Sequence, residues 1–248
     1  MAINLYEGGN VFKDAKGAPA TGRINKADVL PTVKWLENLT GLNLVDNMLG
    51  TTGKADTSGD LDLGVDATKI TKEVLIQQLL RQGIPQTDIR KTGDSVHLKT
   101  PINGDPNNGY VQTDFMFTDN PTWQHFALTG GAVGSQFKGV HRHILLSSIA
   151  KAQNLKWSPK FGLVNRDTNE VISQDPNEIA TALLGQGHKA KDLTTVETII
   201  KAIKGRPDFE RLIADAKEAF GKENLVLPES SPTPGTGAWF RNFASLDI

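Results

Sequence analysis

The sequence contains no cysteine, which excludes disulfides, thiolate zinc sites and cysteine nucleophiles. It has no apolar run of about 18 residues, and its start lacks the charged-then-apolar pattern of a signal segment. Excess charge is lacking too: 27 Lys+Arg against 28 Asp+Glu leave a net charge of −1. That argues against a generic cationic nucleic-acid coat, while a local basic groove stays compatible with it. Internal repeats and low-complexity tracts are absent from the sequence. No membrane partner is expected, and a reducing, cytoplasmic setting is. What is present is a chain of 248 residues, 38% hydrophobic and 22% charged, with 24 glycines. That length accommodates one large domain or two modest ones with a real core.

The chemistry concentrates in residues 49–66. Asp60 and Asp62 are separated by one leucine in a segment where Leu61, Leu63 and Val65 alternate with polar residues. Alternation is the strand period, so the two carboxylates project from one face and the leucines from the other. Carboxylates held that close raise each other's pKa unless a cation sits between them. Mg²⁺ meets that need, taking one or two carboxylates together with substrate phosphates. Upstream, Gly50-Thr51-Thr52-Gly53-Lys54 offers bare backbone amides, hydroxyls and a cation, the groups that bind a phosphate chain.

Two commoner motifs fail at this stretch. A calcium loop starting at Asp56 needs glycine where Leu61 stands and glutamate where Ala67 stands. A Walker-type phosphate loop needs four residues between its first glycine and the Gly-Lys pair, followed by Ser or Thr. Here Thr51 and Thr52 intervene and Ala55 follows. A solvated acidic strand edge is the remaining alternative for a bare Asp-x-Asp.

The order Gly50-Thr51, a short basic loop, then Gly59-Asp60-Leu61-Asp62-Leu63 resembles the signature of the DNA polymerase β-like nucleotidyltransferase superfamily. The likeness covers about 18 residues, and threonine stands where serine is commoner in that family. The resemblance implies that Gly50 and Thr51 open a short helix at the triphosphate and that Lys54 is a basic phosphate contact. It also implies that Asp60 and Asp62 bind Mg²⁺ or Mn²⁺, with a third carboxylate on a later strand.

A third carboxylate is available in residues 110–117, a strand-like run in which Val111, Thr113, Phe115 and Phe117 share one face and Gln112, Asp114 and Met116 the other. An aspartate inside such a strand is costly if buried and unpaired. Beside a metal it becomes a ligand, and Asp114 is the expected third ligand and the base toward an attacking hydroxyl. Asp119, in the Thr118-Asp119-Asn120-Pro121 turn signal, reads as a turn residue.

The remaining segments suggest an α+β protein: a small mixed sheet backed by helices, followed by a mainly helical second unit. Residues 1–25 read as a glycine-rich arm. Helical spacing predicts helices over 26–40, closed by Gly41, and over 68–82, closed by Gly83, with Ile70, Val74, Leu75 and Leu79 on the apolar face of the second. Residues 42–49 suggest the strand delivering Gly50, and 84–91 with 95–100 a hairpin across Gly93-Asp94. A polar loop over 101–109 precedes the Asp114 strand.

Residues 129–134 read as a flexible bend, and a helix is expected over 135–154 whose start is rich in cations: Lys138, His141, Arg142 and His143. The helix dipole disfavours cations there. Lys138 and Arg142, four apart on one face, read either as a clamp on nucleotide phosphates or as a solvated basic face. His141 and His143, two apart, do not face one metal. A hairpin over 157–172 follows, then a helix opened by Asp175-Pro176 and two more over 192–204 and 207–220. Domains are thus expected at 26–128 and 129–221, with a Pro/Gly-rich tail over 222–248 ending in Trp239-Phe240-Arg241-Asn242-Phe243.

The function expected from the resemblance is transfer of a nucleoside monophosphate from a triphosphate such as ATP to an acceptor hydroxyl, with release of pyrophosphate. The acceptor would be an RNA or DNA 3′ end, a protein hydroxyl or a small molecule, with a nucleic-acid end or a protein preferred. The competing expectation is a binding or structural protein of the same fold that has lost the chemistry.

Overall fold

The computed structural model describes residues 10–128 and 135–228. The expected bend over 129–134, the aromatic tail end and the first nine residues lie outside the described residues. The chain is α+β and divides into two compact units, residues 1–130 and 131–248. Each is described separately.

In the first unit, β1 (Ile24–Asn25) leads into α1 (Lys26–Thr40), which carries Val29, Val33 and Leu36 into the core and ends at Gly41 with φ 71°. β2 (Thr57–Ser58) pairs antiparallel with β1. β3 (Asp60–Asp66) is followed by α2 (Lys72–Arg81), then β4 (Ile89–Thr92), β5 (Ser95–Pro101) and β6 (Tyr110–Thr118). A short helix, α3 (Pro121–Ala127), closes the unit, its first turn capped by the Asn120 side chain accepting from the Trp123 amide.

The main sheet has the order β3-β6-β5-β4, with β3 and β6 parallel and the other neighbours antiparallel. Registered partners share a face. Leu61 and Leu98 both pair with Thr113, and Leu63 and Val96 both pair with Phe115. All four of these aliphatic side chains are buried with Phe115 in a core completed by α1 and α2. The opposite face carries Asp60 beside Gln112, Asp62 beside Asp114, and His97 beside Asp114. One alternation pattern thus builds the core on one side and gathers polar groups on the other.

Several expectations are corrected here. Residues 42–49 do not form a strand: a 3-10 turn spans Val45–Asn47, because Glu37 Oε1 accepts from the amides of Leu44 and Val45, each at 2.8 Å. An isolated bridge, Met48 to Leu63, joins this segment to the sheet. The second helix starts at Lys72, because the Thr71 side chain caps it and Asp66 folds residues 66–68 into a turn through the Thr68 amide and hydroxyl. Val74 is then on its outer side, 54% exposed. The β4 strand begins at Ile89, since Gln86–Asp88 makes a 3-10 turn. The described part of the expected arm belongs to the unit: Phe12 and Ile24 are buried, and the Val11 amide donates to Gln112 Oε1 at 2.9 Å.

The second unit contains α4 (Gly139–Ala152), β7 (Leu155–Ser158), β8 (Gly162–Asn165), β9 (Val171–Ser173), α5 (Pro176–Leu184), α6 (Val196–Ile203) and α7 (Phe209–Lys222). Its strands form an antiparallel sheet in the order β7-β8-β9. Leu145 and Ile149 of α4 are buried, as are Leu212 and Ala216 of α7, and Ser148 Oγ joins the two helices by donating to the Leu212 carbonyl at 2.8 Å. The Asp175 cap expected for α5 is present, its carboxylate accepting from the Asn177 and Glu178 amides.

Candidate functional site

Asp60, Asp62 and Asp114 converge on the polar face of the β3–β6 pair, each offering an oxygen within 4.8 Å of the others. The parallel register places Asp62 directly beside Asp114, which explains how carboxylates more than 50 positions apart in the sequence meet. Burial, followed by the charges of Asp60 and Asp114, pushes the Asp62 carboxyl up to about 8. Asp60 is also raised, first by burial and then by Asp114, against an opposing effect of Arg23. Three oxygen donors this close, with burial and like charge disfavouring the Asp60 and Asp62 anions, suit a hard divalent cation, and the residues therefore fit Mg²⁺ or Mn²⁺.

The loop before β3 is fastened to Asp62. The Leu49 amide donates to the Asp62 carbonyl at 2.8 Å, and the Asp62 amide donates to Thr52 Oγ1 at 3.0 Å. Gly50 adopts φ 59°, and its amide donates to the Leu128 carbonyl at 2.9 Å. Residues 50–54 form a turn in place of the short helix implied by the resemblance. The Thr51 carbonyl accepts from the amides of Lys54 and Ala55 at 2.9 and 3.3 Å. Thr51 and Lys54 are exposed beside Gly50, whereas Thr52 is buried and structural.

Four further residues join the site. Asp114 Oδ1 lies 2.6 Å from His97 Nδ1 and accepts from Gln112 Nε2 at 3.0 Å. His97 Nε2 lies 2.5 Å from Thr92 Oγ1, at the end of the β4–β5 hairpin. Arg23 is fixed near Asp60 by donating from Nε and Nη2 to the hydroxyl and carbonyl of Thr57, at 3.0 and 3.1 Å. Sequence reading puts Gln112 on the Asp114 face but assigns it no role. The partnership of His97 with Asp114 needs the β5–β6 register, which local sequence does not encode.

Lys138 and Arg142 belong to the second unit and do not form the expected shared face. The helix begins at Gly139, leaving Lys138 exposed at the cap position, its amide donating to His141 Nδ1 at 2.8 Å. Arg142 is buried: its Nε donates to the Leu193 carbonyl at 2.7 Å, and its guanidinium lies 5.7 Å from the Trp157 ring centre. Burial lowers the Arg142 pKa to about 10. His141 pairs with Glu223 at 2.8 Å, while His143 Nδ1 accepts from Trp157 Nε1 at 2.9 Å. The cations that read as a solvent-facing cluster are thus largely drawn into the packing of this unit. Among the described residues no helix is long and apolar enough to cross a membrane. Neither a protein-family model nor a curated protein matches this chain.

Proposed function

We propose that the first unit is a metal-dependent nucleotidyltransferase of the DNA polymerase β-like type, moving a nucleoside monophosphate from a triphosphate to an acceptor hydroxyl with loss of pyrophosphate. The observation that carries this reading is the convergence of Asp60, Asp62 and Asp114 beside the Gly50–Lys54 turn, which exposes Thr51 and Lys54. Asp60, Asp62 and Asp114 would hold the cation, which when bound neutralises phosphate charge and acidifies a hydroxyl.

The chain's own groups account for the rest. The exposed Thr51 hydroxyl and the Lys54 ammonium bind the β and γ phosphates, since the amides of Leu49, Gly50, Thr52 and Lys54 already donate to carbonyls of the chain. Asp114, oriented by its neighbours, accepts the proton of the acceptor hydroxyl as its oxygen attacks the α phosphorus and the bond to pyrophosphate breaks. A polynucleotide 3′ end or a protein hydroxyl is the acceptor class we favour. Arg142 has no part in phosphate binding on this reading, because its guanidinium is committed to Leu193 and Trp157.

The test uses each of ATP, CTP, GTP and UTP labelled at the α phosphate, with Mg²⁺ or Mn²⁺. The acceptors are a mixed tRNA and oligonucleotide pool and the protein itself. Label transferred by the wild type and lost in Asp60→Ala and Asp62→Ala supports the proposal and identifies the acceptor. Nucleotide binding that persists unchanged in the double variant, with no transfer, sinks it in favour of a binding protein without chemistry.

A further inference from the structure

Asp114 differs from its two partners in having a built support. Its Oδ1 receives two side chains at once, Gln112 Nε2 at 3.0 Å and His97 Nδ1 at 2.6 Å. A carboxylate oxygen accepts, so Nδ1 of His97 is the donor in this contact, and the far ring nitrogen lies 2.5 Å from the Thr92 hydroxyl. Both supports are themselves anchored. Gln112 Oε1 accepts from the Val11 amide, and the His97 ring is buried between strands whose register pairs it with Asp114 on one side and Arg90 on the other. Both of these contacts fall on Oδ1, and Asp114 also offers an oxygen within 4.8 Å of those of Asp60 and Asp62.

We infer that His97 is a positioning residue: through the Thr92–His97–Asp114 chain it fixes the rotation of the Asp114 carboxylate, so that one oxygen serves the cation and the acceptor hydroxyl. This rests on the proposed nucleotidyltransferase reading and adds a residue that its motif does not contain. The physical basis is general. A ligating carboxylate free to rotate must be ordered on each binding event, and outer partners that pre-order it commonly contribute about 10–100-fold in metal affinity or activity. Asparagine at position 97 keeps a side-chain N–H near the place of Nδ1, whereas leucine keeps bulk without a donor.

The experiment titrates Mn²⁺ into the full chain by electron paramagnetic resonance of the free ion, without nucleotide, and records thermal unfolding and transfer kinetics alongside. The variants are wild type, Asp62→Ala, His97→Leu, His97→Asn and Thr92→Val. Expected are a loss of Mn²⁺ affinity in His97→Leu of about 10–100-fold, recovery of most of it in His97→Asn, and an intermediate loss in Thr92→Val. Transfer should fall in kcat with the nucleotide KM little changed. If His97→Leu does not fold, Thr92→Val decides the matter, because its position is exposed at a hairpin end. Wild-type affinity in whichever of these two variants is folded overturns the role of His97 while leaving the metal reading intact. Wild-type protein that binds no Mn²⁺, or binds it equally after Asp62→Ala, overturns the metal reading and the positioning role with it.

Discussion

A β carbon placed on Gly50 would stand 3.5 Å from Oδ2 of Asp62. The backbone of Gly50, at φ 59°, is in the left-handed region that non-glycine residues enter at a cost of about 1–2 kcal/mol. Glycine therefore serves the turn by its conformation, while a methyl group there would only touch the carboxylate at ordinary contact distance. Gly50→Ala should lower stability by about 1 kcal/mol, visible as a Tm decrease of about 4 °C. Its Mn²⁺ affinity should fall as well. Unchanged unfolding and metal titrations in this variant would show that the turn relaxes freely.

Thr51 and Thr52 are neighbours with opposite fates. Thr52→Val strands the Asp62 amide and should cost about 1–3 kcal/mol in urea unfolding. Thr51 is exposed, so Thr51→Val should change stability by less than about 0.5 kcal/mol but raise the nucleotide KM. Equal effects of the two substitutions on stability would contradict this division of labour.

Burial, then the neighbouring Asp60 and Asp114 charges, push the Asp62 carboxyl up to about 8 from its ordinary 3.8. The folded chain thus retains a proton that the unfolded chain has released, and the stability it contributes is present at low pH and lost as pH rises through about 8. With chelator present, Tm should fall between pH 5 and pH 8.5, and Asp62→Asn should flatten the slope and exceed the wild type at the alkaline end. Mn²⁺ should raise the wild-type Tm more at pH 8 than at pH 6, because at the lower pH the ion competes with the proton. A chelated wild type whose Tm does not vary over this range would refute the assigned titration.

Arg142 is an internal group of the second unit. Arg142→Ala removes the donor to the Leu193 carbonyl and the contact with Trp157, and should destabilise the chain by about 2–4 kcal/mol. Arg142→Lys should recover little, since an ammonium cannot reproduce both contacts. Burial first, then the Arg142 charge, pushes the adjacent His143 down to about 4, so it remains a neutral acceptor for the Trp157 indole. Urea unfolding at neutral pH measures the stability effect. A phosphate clamp would predict the reverse pattern, with intact stability and a raised nucleotide KM.

The sequence by itself determined the local geometry of the site. Alternation around Leu61 and Leu63 put Asp60 and Asp62 on one face, alternation around Phe115 put Asp114 and Gln112 on another, and helical spacing with Gly41 delimited α1 to the residue. These are period and capping effects, contained within a few neighbouring residues. The tertiary structure alone decided that β3 and β6 lie side by side in parallel register, so that Asp62 meets Asp114, and that β5 brings His97 against it. Strand partnership is a long-range choice made by burial of whole faces, and the pattern within a strand does not reveal its neighbour. Segment 42–49 and the cations of α4 show the same limit from the other side. Glu37 captures amides that local pattern assigns to a strand, and the packing of the second unit buries Arg142, which local pattern assigns to the surface.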